Sequence, residues 1–362
     1  MAYQIKGKKI MTSVNKLKKI GLIMAAAIGV VVSIAVTASS AVQTAEKVNL
    51  YSYRQPFLIK PFLDVFAKQT GIKVNVVYAK KGMLQRLKAE GRNTPADAVL
   101  TVDINRLSAL ANAGLLQPIK SSVLEKNVPA QYRHPDGLWF GLTTRARVVY
   151  AHKTRVKPGE VASYEDLAKP HMKGRICTRS GKHSYNLSLL ASIVAAKGEQ
   201  AATKWARAVK VNLARRPQGN DRAQVKAIKE GICDVSLGNT YYMGAMVTNE
   251  KKPEQKTWAA AVNVLFPGQN GRGTHVNISG AAVTEHAKNK ANAIKLLEFL
   301  SEKFAQKMYA DQNFEYPVKS SVAWHSLVAS WGKFKADNIN LNEIVKHRST
   351  AAKIMDRVDF DG

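Results

Sequence analysis

Tyr241 and Tyr242 stand side by side in an expected glycine-flanked loop, Gly238-Asn239-Thr240-Tyr241-Tyr242-Met243-Gly244, and Tyr185 lies in a second polar loop. Three phenols form a candidate ligand set, because their oxygens are hard anionic donors once ionised. A tyrosine hydroxyl has a reference pKa near 10, so ionising one at neutral pH costs about 4 kcal/mol and ionising three costs about 12 kcal/mol. A nearby lysine rarely supplies that much, whereas a highly charged bound cation does, by inverting the local pKa logic. Hard oxygen anions suit a trivalent ion such as ferric iron better than zinc or copper, which prefer nitrogen and sulfur. The plainer reading of adjacent tyrosines is aromatic packing on a surface. The two readings differ in whether the fold brings the third tyrosine to the doublet.

The chain opens on a targeting segment. Lys6, Lys8, Lys9, Lys16, Lys18 and Lys19 precede a 17-residue apolar run, 20–36, and small residues follow through Ala41. That order is expected of a cleaved export signal over residues 1–41, although the run is also at the low edge for a membrane anchor. Met11 is as good a start as Met1, because three of the lysines follow it. The formal net charge is +29, and loss of the six signal lysines leaves +23. Such a field favours anionic ligands and surfaces. The basic residues are scattered and no nucleic-acid recognition motif occurs, so nucleic acid is not an expected partner.

Cys177 and Cys233 are the only cysteines. In an oxidising compartment an isolated pair is expected to bridge, which in the chain-entropy model stabilises the fold by about 4 kcal/mol. Two free buried thiols are the alternative. A two-thiol metal site lacks a histidine at ligand spacing.

The elements that must position these residues follow a strand–helix rhythm. Strands are expected at 48–53, 72–78, 98–100, 145–150, 175–178, 233–237, 259–266 and 278–283, with helices at 57–69, 83–90, 105–113, from about Tyr185, 199–209 and 221–230. Asn289 is an expected N-cap for one amphipathic helix carrying Ile294, Leu297, Leu300, Phe304 and Met308. This alternation predicts an α/β fold of open parallel sheets covered on both faces, with ligands at the carboxyl ends of strands. Tyr53-Arg54, the loop 180–185 and the stretch 239–242 all take that position.

On these motifs the mature chain resembles the periplasmic ferric-ion-binding proteins of bacterial ABC importers. The resemblance is carried by Leu50-Tyr51-Ser52-Tyr53-Arg54-Gln55, Thr143-Thr144-Arg145-Ala146-Arg147, Ser180-Gly181-Lys182-His183-Ser184-Tyr185-Asn186 and the Tyr241-Tyr242 segment, with Asn277-Ile278-Ser279-Gly280 and Glu315-Tyr316-Pro317-Val318 in support. It implies a two-lobed type II periplasmic-binding-protein fold with a hinge and an interlobe cleft. One lobe would hold 46–143 and 279–318, the other 144–278 and 319–362. It also implies Tyr185, Tyr241 and Tyr242 as ligands of Fe(3+), a monomeric carrier, and an inner-membrane ABC transporter permease as partner. Many relatives have a histidine where this chain has Gln55, which leaves an exogenous anion, carbonate first, or water to complete the coordination. Arg54 and Arg145 are the anion-binding candidates, since a guanidinium fork suits a planar dioxygen ligand. Salt bridging is their plainer role. Tyr53, Asp103, Arg147, Lys182 and His183 lie in neighbouring segments.

Two other function classes remain in view. The same fold binding an organic, phosphorus or sulfur oxyanion without metal is favoured by the positive field and by loop 180–184, whose backbone N–H groups open a helix. An enzyme is disfavoured: no nucleophile elbow, zinc-protease helix motif or phosphate-binding loop appears, and the eight histidines form no metal-spaced pair.

Overall fold

The computed structural model describes residues 46–362; the expected export signal, 1–41, lies outside the described residues. Nine strands belong to one hydrogen-bonded system: β1 (Lys47–Ser52), β2 (Lys73–Tyr78), β3 (Ala98–Thr101), β4 (Phe140–His152), β5 (Ile176–Cys177), β6 (Val235–Asn239), β7 (Val262–Leu265), β8 (Val276–Val283) and β9 (Tyr316–Pro317). Their order is β2-β1-β3-β8-β4-β6-β5, with β7 and β9 also on β4. The pairs β1–β2, β1–β3 and β5–β6 are parallel, while β3–β8, β8–β4 and β4–β6 are antiparallel. The sheets are therefore mixed, not parallel as the strand–helix rhythm suggested. The reason is β4. It runs for 13 residues, buried from Phe140 to Ala151, and pairs with β8 through Ala146 and with β6 from Arg147 onward.

On the β1 side, α1 (Pro56–Thr70) starts with Pro at the first helical position, where no N–H is needed. It ends at Gly71, whose φ of 73° lets its N–H reach the Ala67 carbonyl. Its Ile59, Phe62 and Phe66 are fully buried, each worth about 1.5–3 kcal/mol, and Phe62 meets Tyr309 at 4.3 Å between ring centroids. Helices α2 (Met83–Glu90), α3 (Ile104–Asn112) and α4 (Ser122–Asn127) follow. On the other side lie α5 (Ser184–Val211), α6 (Asp221–Lys229), α7 (Thr240–Val247) and α8 (Glu254–Ala260). The expected break before 199 is a kink at Gly198, φ 82°, inside α5. Ala259 and Ala260 end α8 and do not begin a strand.

The helix expected after Asn289 is two helices, α9 (Lys290–Ser301) and α10 (Lys303–Asn313), separated by Glu302 in extended backbone. That break turns Phe304 outward, 54% exposed. Asn289 holds the N-cap position but its amide goes to Asp97, 2.9 Å away, so it makes no cap bond. Short helices α11 (Ser326–Ala329), α12 (Leu341–Lys346) and α13 (Arg348–Arg357) finish the chain. The cysteines do pair: Cys177 at the end of β5 bonds Cys233 just before β6, with 5.8 Å between Cα atoms. Among the described residues no helix is long and apolar enough to cross a membrane.

Candidate metal site between strand ends

The tyrosine doublet is not in a loop. Strand β6 ends at Asn239, and Tyr241 and Tyr242 are the second and third residues of α7, their rings 4.4 Å apart. Helix α7 is seated by Gly244, where a Cβ would lie 2.4 Å from the Phe314 ring. Tyr185 likewise takes the second position of α5, which His183 caps by accepting the Tyr185 N–H at 3.2 Å. The two helix starts converge: the Tyr185 and Tyr241 hydroxyls are 3.0 Å apart. All three tyrosines line one cavity of about 770 Å³, together with Tyr53, Arg54, Gln55, Arg145, Arg222 and Glu315.

Tyr185 and Tyr241 resist ionisation. Burial, followed by the Tyr242 phenol, pushes Tyr185 up to about 12, against the pull of Arg145 and the Tyr241 hydroxyl. Burial and the other two phenols drive Tyr241 well above its ordinary value as well. At pH 7 the Tyr185 phenol therefore needs about 7 kcal/mol to ionise.

Two buried arginine clusters frame the phenols. In the first, Glu315 accepts from Arg54 Nη2 (2.8 Å), Arg145 Nη2 (3.2 Å) and Thr143 Oγ1 (2.8 Å), and Ser279 Oγ accepts from the same two guanidinium groups. Burial alone would raise the Glu315 carboxyl, but Arg54 and then Arg145 outweigh it and hold the carboxyl below its usual range. Arg54 Nε and Arg145 Nε and Nη1 are left without a partner. In the second, Asp221 accepts from Arg147 Nη1 (2.7 Å) and Arg179 Nη1 (3.0 Å), and Arg147 also reaches Asn186 and Asn239. Each cluster carries one net positive charge. Arg145 stands 5.8 Å from the Tyr241 ring centre and Arg179 5.2 Å from that of Tyr185.

The remaining candidates divide. Tyr53 lines the cavity while its hydroxyl accepts from Met83 N–H. Gln55 is exposed at the rim. Asp103 is committed to capping α3 and to the Asn277 amide. Lys182 points to the surface and pairs with Asp356. Burial, then Arg179 and Arg147, lowers His183 to about 3, so it is a neutral cap. The loop 180–184 is not free for an anion: Asp361 Oδ1 accepts from Gly181 N–H (2.7 Å) and Oδ2 from Ser180 Oγ (2.5 Å). Sequence reasoning missed the roles of Glu315, Ser279, Asp221 and Arg179. Among the described residues no group of three or more His, Cys, Asp or Glu side chains is placed to hold a metal.

The sequence pattern of the bacterial extracellular solute-binding proteins matches residues 93–336. The chain belongs to that family. Iron uptake protein A1 of Synechocystis is 46% identical over 316 residues, 87% of this chain and 88% of that protein. The solved apo ferric ion-binding protein A of Pasteurella haemolytica is 52% identical, covers 88% of this chain and 99% of its own, and superposes with a TM-score of 0.83. A Trichodesmium protein solved with iron and citrate ligands is 45% identical, with coverage of 87% and 99% and the same TM-score. Likeness of this degree establishes the two-lobed type II fold for this member of the family.

Proposed function

We propose that this solute-binding protein captures ferric iron in its cleft through the Tyr185, Tyr241 and Tyr242 phenolates and delivers it to an inner-membrane ABC transporter. The protein is a binder and not an enzyme, exported to the periplasm by residues 1–41 and acting as a monomer. The observation that carries the reading is the 3.0 Å approach of the Tyr185 and Tyr241 hydroxyls inside the cavity. Two oxygens bound at about 2.0–2.1 Å to one small cation at right angles sit about 2.9 Å apart. The names of the relatives, iron uptake and ferric ion-binding, agree with it.

Charge supports the rest. Ferric ion with three phenolates is neutral, and the two arginine clusters leave two positive charges beside it. A dianion such as carbonate balances them, taken by the unpartnered N–H groups of Arg145 and Arg54. Lobes 46–143 with 279–318 and 144–278 with 319–362 close over the metal and exclude water. Three phenols give up three protons on binding. Because Tyr185 and Tyr241 are raised, protons compete for the ligands throughout the neutral range. The affinity therefore falls with falling pH, by about a thousandfold per pH unit for three protons displaced.

Absorbance during titration with ferric nitrilotriacetate tests the reading. The wild type should develop a visible phenolate-to-iron charge-transfer band, and Tyr241→Phe with Tyr242→Phe should abolish it and the binding. Unchanged affinity in that double variant contradicts the assignment; an organic oxyanion bound tightly without metal favours the oxyanion reading instead.

A further inference from the structure

Asp361 lies 120 residues beyond the tyrosine doublet, yet it grips the loop that carries Tyr185. We infer that Asp361 is a positioning residue for iron binding, acting through loop 180–184; the inference rests on the tyrosinate reading above. The loop is held from two sides. On its inner side the Asn186 amide donates to Thr178 Oγ1, the Arg179 carbonyl and the Ser180 carbonyl at 3.0–3.1 Å. On its outer side the Asp361 carboxylate takes both the Gly181 N–H and the Ser180 hydroxyl. Only three residues separate Gly181 from Tyr185.

The grip is built, not incidental. Gly181 is buried against α13 and the turn after it: a Cβ at that position would lie 2.6 Å from the Phe360 ring and 2.9 Å from Met355 sulfur. Phe360 is itself buried. Arg216 donates twice to the Asp361 carbonyl at 3.3 Å, while Lys182 pairs with Asp356 at the end of α13 and Lys210 with Asp359 on the turn after it. The segment thus pins the first turn of α5 from outside, while Arg147 and Arg179 approach Tyr185 from within. Releasing Asp361 leaves Tyr185 on a helix end fixed from one side only. Groups bonded directly to a metal's ligands are worth about 10–100-fold in metal affinity when lost; Asp361 acts through the loop instead, which puts its effect at the low end.

The test uses the full chain carrying Asp361→Ala or Asp361→Asn. The asparagine retains an acceptor for Gly181 N–H and serves as the conservative partial rescue. Each is loaded with ferric nitrilotriacetate, followed by visible absorbance and competition with citrate, and the unfolding midpoint of the iron-free form is measured in parallel. Asp361→Ala is expected to weaken iron retention about tenfold and to reduce and shift the charge-transfer band, with Asp361→Asn intermediate. A purely structural role lowers the iron-free midpoint and leaves the band of the folded, loaded protein untouched; that result overturns the inference. So does an Asp361→Ala protein identical to wild type in band and retention. A wild type that takes up iron without a charge-transfer band overturns the tyrosinate reading itself, and the inference falls with it.

Discussion

The two arginine clusters have the same formal composition, two guanidinium groups on one carboxylate, and opposite designs. The Asp221 cluster is closed off from the cavity, which none of its charged residues line. Asp221 is fully buried at the first position of α6 and also accepts the Asn239 N–H at 3.0 Å, while Arg147 reaches Asn186 and Asn239, and of the buried guanidinium nitrogens only the Nε of Arg147 and of Arg179 is unpartnered. It ties α6, the end of β6 and the start of α5 into one base beneath the phenols. The Glu315 cluster is open. It gathers Arg54, Arg145, Ser279 and Glu315 from four distant stretches, lines the cavity, and leaves three N–H groups unpartnered. One cluster ties together the elements beneath the phenols; in the proposed reading the other keeps donors in reserve for an anion.

The comparison breaks most visibly at Asp221. Asp221→Ala strands Arg147 and Arg179 in the interior, and removing one partner of a buried pair costs about 3–5 kcal/mol; chemical denaturation of the iron-free protein should show it. Glu315→Gln should cost less, about 1–3 kcal/mol, because an amide acceptor remains for Arg54, Arg145 and Thr143. An equal loss in the matched variants Asp221→Asn and Glu315→Gln would erase the distinction between closed and open clusters. Arg145→Gln sharpens it from the other side: stability should change little, while the gain in iron retention on adding bicarbonate should shrink about tenfold, the loss of one charge-assisted contact.

At neutral pH the smallest effect lies outside both clusters, and it grows only on acidification. His275 is buried with neither ring nitrogen partnered, and burial followed by Arg272 and Arg147 lowers it to about 3. The unfolded histidine binds a proton below about 6.5 and the folded one does not, so its contribution is intact above that pH. It drains by about 1.4 kcal/mol per pH unit between there and about 3. His275→Gln should flatten that part of the stability curve.

Much of this was legible in the sequence, for local reasons. The tyrosines, the strand ends before them and the cysteine bridge follow from adjacency, alternation and cysteine count. Asn239 followed by a stretch without proline already permits a helix at Thr240, yet the flanking glycines suggested a loop; Gly244 instead serves the approach of Phe314. Strand β4 was read at half its length because Gly141 and the polar run Thr143-Thr144-Arg145 hide a fully buried strand whose polar side chains are satisfied by partners far along the chain. Glu315 and Asp361 were illegible for the same reason: Arg54 lies 261 residues from Glu315, and Ser180 lies 181 residues from Asp361. No periodicity encodes such pairings.

A crystal of the iron-loaded protein, measured at the iron absorption edge, tests the central claim most directly. The account predicts one anomalous peak within bonding distance of the Tyr185, Tyr241 and Tyr242 hydroxyl oxygens, with an oxyanion between that peak and Arg145. A peak away from those three oxygens, or bound to fewer than two of them, would contradict it.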